Sequence, residues 1–289
     1  NELQVKLAAS LNHIVHDLLA EKDSSRKVKR INVFINAKGG SGTSFIASNV
    51  AYSLAQFSNS NTALIDLDLQ FGSIGLYFDK TPEYAISEAL KMLEHENGMD
   101  SVSLEAYIEK YNDKLGMLLT SQDEFILPSE ISPAAFQRLI ALIQVRYNQV
   151  VIDLPRIIDP LSSAVMEQAD QVTIVLQQSL VQFRDCRRLI NILNKELESP
   201  LERISLVINR YDENNKLKKD DIIGMVSHNK VYTVRNDFDR VASALNLGVP
   251  LCESAPKSKI AKDLKKIAME LGKIHFNEKN HSIFSFFKR

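Results

Sequence analysis

Short β-branched runs alternate along this chain with segments whose apolar residues recur at helical spacing. Ile31, Val33 and Ile35 predict a first core strand, and Ile46, Val50 and Leu54 the face of a helix behind it. Further strands are expected from Thr62 into Asp66-Leu67-Asp68, and at Lys114 to Thr120, Val150 to Leu154, Gln171 to Gln177, Arg203 to Arg210 and Val231 to Val234. Helices are expected at Ile86 to Leu93, Leu104 to Tyr111, Pro133 to Arg146 (capped by Ser132) and Gln182 to Leu197. Another starts at Asn236 or Asp237 and stops at Gly248, and a last one carries Ile260, Leu264, Ile267 and Leu271 on one face. Such alternation predicts an α/β fold: a doubly wound, mostly parallel sheet with helices on both faces. Ahead of it, Leu3, Leu7, Leu11, Ile14 and Leu18 fall on helical spacing, and Glu21 to Arg30 is polar and basic. The expected division is residues 1–30 as helix and linker, 31–275 as the main domain and 276–289 as a tail.

The first strand runs into Lys38-Gly39-Gly40-Ser41-Gly42-Thr43-Ser44 and then into the helix. Strand, glycine loop and helix form the architecture of a phosphate-binding P-loop, in which backbone N–H groups and a helix N-terminus converge on one anion. The pattern G-x-x-x-x-G-K-[ST] is not met, because Thr43 stands where the phosphate-gripping lysine belongs. Lysine occurs instead at Lys38, directly before the two glycines. Asp66 and Asp68 close the second strand at the sheet edge where ligands of open α/β folds collect. Val150-Val151-Ile152-Asp153 is a β-branched run closing on a carboxylate, the pattern that supports magnesium beside a P-loop.

Composition narrows the classes. With 289 residues, 45% hydrophobic and 25% charged, the chain reads as an ordinary globular protein. A net charge of −1 gives no global pull towards nucleic acid or anionic lipid. Cys186 and Cys252 lack metal or redox spacing and fit a reducing cytoplasm. No apolar run approaches the roughly 18 residues of a membrane span, and no signal peptide is visible. His13 and His16 lie along the first helix rather than at metal-ligand spacing.

The layout K-G-G-x-G-x-[ST] resembles the deviant Walker A loop of the MinD/ParA family of ATPases, and the resemblance extends from about Ile31 to Gly272. It implies ATP and Mg2+ as ligands and a dimer that sandwiches the nucleotide. Lys38 would then reach the partner's phosphates, and the intramolecular lysine is lost at Thr43. By the same resemblance Lys38 and Asp68 are the catalytic candidates, with Asp68 orienting the attacking water. Gly39, Gly40, Ser41, Gly42, Thr43, Ser44 and Phe45 join Lys38 at the nucleotide, and Ser44, Asp66 and Asp153 support the metal. Asn209, whose amide suits an adenine edge, Arg210 and Pro250, which begins a loop over the base, complete the nucleotide set. Since Thr43 carries no charge, weak or absent hydrolysis is expected.

Within the family, Asp68-Leu69-Gln70-Phe71-Gly72-Ser73, Asn236-Asp237-Phe238 through Gly248-Val249-Pro250-Leu251, and Ala255-Pro256-Lys257-Ser258 resemble the CpaE/TadZ branch. That branch positions Flp/Tad-type pilus assembly, which implies pilus secretion machinery as partner and a cytoplasmic site at the cell pole or inner-membrane face. Its members carry a receiver-like domain ahead of the ATPase domain, to which residues 1–30 would connect. Two alternatives remain. A ParA-like DNA partition role has only Lys259, Lys262, Lys265, Lys266 and Lys273 in support, and their spacing reads as a solvated helix face. A MinD-like membrane-surface role rests on Ser282 to Arg289, where Ile283, Phe284, Phe286 and Phe287 stand beside Lys288 and Arg289. That tail is short, so partner docking or dimer packing competes with weak membrane contact.

Overall fold

The computed structural model describes residues 29–57, 60–95, 98–121, 126–226 and 230–273. The expected first helix and the aromatic tail lie outside the described residues. Eight strands form one sheet: β1 (Arg30–Asn36), β2 (Thr62–Asp66), β3 (Glu109–Asn112), β4 (Leu115–Leu118), β5 (Gln149–Leu154), β6 (Gln171–Leu176), β7 (Ile204–Tyr211) and β8 (Val231–Arg235). Their spatial order is β3-β4-β2-β5-β1-β6-β7-β8. Every neighbouring pair is parallel except β3 with β4. The doubly wound α/β architecture expected from the sequence is therefore the one observed.

Central strands are buried on both faces, which is why they read as unbroken apolar runs. Along β1, Val33 and Ile35 enter one core while Phe34 enters the other. The first core is covered by α2 (Ile86–Met92), α3 (Pro133–Ile143), α4 (Pro160–Gln168), α5 (Leu180–Lys195) and α6 (Lys219–Val226). The second lies under α1 (Thr43–Phe57), α7 (Phe238–Asn246), α8 (Leu251–Ser254) and α9 (Lys259–Leu271). The caps follow sequence signals: Ser132 accepts from Ala135 N on α3, Asp237 from Arg240 N on α7 and Ser258 from Ala261 N on α9. Gly248, at φ +60°, follows α7 as expected of a helix stop.

One expected element is wrong. The segment 104–111 was expected to be a helix, but a 3₁₀ turn over Ser103–Tyr107 gives way to strand β3. Asn112 explains the change: its Oδ1 accepts from Lys114 N at 2.9 Å and Leu115 N at 3.0 Å, folding the chain into a hairpin onto β4. The helices α4, α6 and α8 were not anticipated: Pro250, expected to begin a loop, caps α8 instead, and Asp159 before Pro160 is a helix-start signal whose side chain accepts from Ser162 N.

Candidate functional site

The loop between β1 and α1 leaves the sheet beside the C-terminal ends of β5 and β6. Gly40 and Gly42 adopt φ of +78° and +87°, the left-handed region that only glycine enters freely. At Gly42 a Cβ would also stand 2.4 Å from Asn209 Nδ2. The loop's carbonyls are held by side chains, three from elsewhere in the chain and one from the loop's own Ser41. Ala37 O accepts from Arg156 Nη1 at 2.8 Å, Lys38 O from Ser41 Oγ at 2.6 Å, Gly40 O from Gln177 Nε2 at 2.9 Å and Ser41 O from Asn209 Nδ2 at 2.8 Å. With these carbonyls bonded, and apart from Ser41 N, which donates to Lys38 O at 3.3 Å, the loop's N–H groups and the unbonded first turn of α1 remain for an anion.

A cavity of about 280 Å³ opens over this loop. Of the sequence candidates, Gly40, Ser41, Gly42, Thr43, Ser44, Asp68, Asp153 and Arg210 line it. Asn36, Tyr77, Leu154 and Pro155 also line it and were not anticipated. Lys38 and Gly39 are exposed outside its wall. Phe45 is buried in α1 with its ring 6.4 Å from that of Tyr77. Pro250 caps α8 and does not line the cavity; Cys252 N, two residues on, donates to Asn49 Oδ1 of α1 at 2.9 Å. Asn209 does not line the cavity either, with its Nδ2 on Ser41 O and its Oδ1 accepting from Arg210 N at 2.9 Å.

The carboxylates form a graded set. Asp66 pairs in register with Asp153 across β2 and β5, and both are buried. Asp66 accepts from Asp68 N at 3.1 Å and Ile74 N at 3.0 Å, so both its oxygens face protein donors. Burial, and then the charge of Asp153, hold the Asp66 carboxyl far above the usual carboxylate range in spite of those donors. Asp153 is raised chiefly by burial, opposed by a hydrogen bond from the Ser44 side chain. Asp68 is only partly buried and accepts from Phe71 N at 3.1 Å. Burial and Asp153 push the Tyr77 hydroxyl up to about 12.

These residues fit a magnesium nucleotide. The Thr43 hydroxyl is buried at the cavity wall and has no hydrogen-bond partner among the described residues, so it stands ready to donate to a phosphate oxygen. Ser44 Oγ and Asp153 would supply the protein side of a magnesium site, with Asp66 behind them. A divalent cation would relieve the repulsion between these carboxylates and incoming phosphates.

A glycine loop carrying the central strand into a helix, with paired carboxylates on the adjoining strands, defines a P-loop α/β protein. The family model described as "AAA domain" matches residues 29–206, more than half of the chain, and the chain belongs to that family. It is similar to the septum site-determining protein MinD of Thermotoga maritima, at 23% identity over 83% of this chain and 86% of that protein. The crystal structure of a ParA family ATPase from Chlorobium tepidum superposes with a TM-score of 0.76 at 26% identity, covering 84% of this chain and 98% of that one. MinD of Pyrococcus horikoshii, solved in complex with Mg-ADP, matches in fold with a TM-score of 0.68 at 16% identity over 84% and 96% of the two chains. The protein is a member of the MinD/ParA-like ATPase family.

Proposed function

We propose that this chain is a nucleotide-binding positioning protein that dimerises around Mg-ATP and hydrolyses it slowly or not at all. The observation that carries the reading is Thr43, a buried hydroxyl with no hydrogen-bond partner among the described residues, at the loop position where the charge that drives phosphoryl transfer belongs. Binding survives that loss more readily than catalysis, because loop N–H groups, Ser44 and the cation still hold the phosphates. Lys38 is free to act in trans: it is exposed at the loop, and the neighbouring rim carries exposed Ile157, Ile158, Leu180 and Val181, apolar surface that a second copy would bury. The Flp/Tad pilus role is supported by the Asp68–Ser73 and Asn236–Leu251 patterns. The partition role draws support from the similarity to a ParA family ATPase.

Calorimetric titration with Mg-ATP, with mass followed by light scattering, tests the core of this reading. Magnesium-dependent binding and a dimer weakened by Lys38→Ala are expected, with phosphate release gained in Thr43→Lys. Absence of nucleotide binding would reduce the fold to a docking platform. Loss of pili with normal plasmid retention in a deletion strain supports the pilus role. DNA binding whose affinity falls steeply as salt rises would favour partition instead.

A further inference from the structure

The cavity over the glycine loop has an unusual charge balance. Among its described lining residues are the carboxylates Asp68 and Asp153, with Asp66 buried behind them, and one cationic side chain, Arg210. Arg210 comes from the far side of the site, at the end of β7, rather than from the loop. Its placement depends on a distortion. The pairing of β7 with β8 shifts register between Ile208 and Tyr211, and Arg210 within that shift takes φ of +53°. A bulge re-aims the side chains that follow it, and a non-glycine residue in the left-handed region is held there by its surroundings. Asn209 does the holding, since it accepts from Arg210 N and donates to Ser41 O, so the bulge and the loop are locked to each other. The guanidinium lies close enough to Tyr77 to lower that hydroxyl's pKa against the effect of burial. Among the described residues Arg210 forms no ion pair, and its side chain is open to solvent from the cavity.

We propose that Arg210 supplies, within its own protomer, the positive charge on the nucleotide phosphates that position 43 lacks. This rests on the nucleotide reading above and goes beyond it by assigning the missing cation to β7. A planar guanidinium binds phosphate oxygens in a fork, whereas a loop lysine acts as a point charge. Arg210 therefore holds phosphate without restoring the geometry for transfer, consistent with a site that binds more than it turns over.

The test titrates ATP, ADP and adenosine, with magnesium, into wild type, Arg210→Gly, and Arg210→Gly combined with Thr43→Lys. Glycine is chosen because it accepts the left-handed backbone, so the melting temperature is not expected to fall. Arg210→Gly should weaken ATP and ADP roughly 10- to 100-fold, the loss expected of one charge-assisted contact, and leave adenosine within about threefold. Adding Thr43→Lys should return at least about tenfold of the ATP affinity, because the charge is restored from the loop side. The same loss should persist in a Lys38→Ala background, which separates a contact in cis from one in trans. Equal weakening of ATP and adenosine, unchanged ATP affinity, or failure of Thr43→Lys to rescue would each overturn the assignment. If wild type binds none of the three ligands, the nucleotide reading itself fails, an outcome distinct from any of these.

Discussion

Replacing Asn209 with alanine separates two duties that one amide could serve. The family resemblance implies that Asn209 pairs with an adenine edge, yet both of its polar side-chain atoms bond to the protein, one to Ser41 O at 2.8 Å and one to Arg210 N at 2.9 Å. The first bond is buried and the second half-buried. Each such bond contributes on the order of 1 kcal/mol net, and its loss here leaves a backbone group without its partner. Asn209→Ala should therefore cost about 2–3 kcal/mol. At about 2–4 °C per kcal/mol for a chain of this size, the melting temperature should fall by roughly 4–12 °C. Asn209→Asp should fare no better, because it keeps the acceptor for Arg210 N but sets a carboxylate oxygen against the Ser41 carbonyl. Binding discriminates the two duties. A residue that holds the loop should weaken ATP and GTP by the same factor when removed, whereas a base reader should lose the preference between them. Calorimetry of both nucleotides on wild type and Asn209→Ala decides it. A changed ATP-to-GTP ratio with an unaltered melting temperature would refute the reasoning.

The buried Asp66–Asp153 pair makes the free protein pH-dependent in a direction opposite to that of an ion-paired carboxylate. Both carboxyls are raised in the folded state, so folding takes up protons once the unfolded carboxylates ionise, and this stability is present below about pH 4 and is lost as pH rises towards and through neutrality. Urea midpoints of the ligand-free protein should fall across that window, and less so in Asp66→Asn. Binding of Mg-ATP should release protons, read as an enthalpy that varies with the ionisation heat of the buffer; a buffer-independent enthalpy would sink the idea. Gly72→Ala should cost about 1–3 kcal/mol in urea unfolding, since a Cβ there would stand 2.1 Å from Thr120 Oγ1, 2.6 Å from Asp66 Oδ2 and 2.8 Å from Asp68 O. Thr120→Ala should rescue little of it, because two of the three clashes remain.

The parts legible in the sequence were those governed by local pattern. Ile31 to Ile35, Val150 to Leu154 and Gln171 to Gln177 announced buried parallel strands because both faces demand apolar side chains. The edge hairpin escaped because Leu104 and Ile108 sit at helical spacing, while the turn at Asn112 that overrides them depends on one side chain. Glycines and carboxylates of the site were legible as motifs. Tyr77, Arg156, Gln177 and Gln182 were not, because each reaches the site through contacts distant in sequence: Gln182 Oε1, for example, lies 3.0 Å from Ser41 Oγ and accepts from Gln177 N at 2.8 Å.

The side-chain bonding of the four loop carbonyls has a consequence for signalling. A loop whose shape is fixed before any ligand arrives gives up little conformational entropy on binding, and by the same token it has little motion with which to report that binding. Whatever distinguishes a filled site from an empty one must be expressed elsewhere. The segments that follow Asp66 and Asp153 are the parts of the rim free to do so: the first carries exposed Phe71 and the second exposed Ile157 and Ile158. Amide hydrogen exchange should accordingly change little at Gly39 to Ser44 and most at residues 68–74 and 155–159 when nucleotide is added. The anvil stays still, and the message travels through the strands' trailing loops.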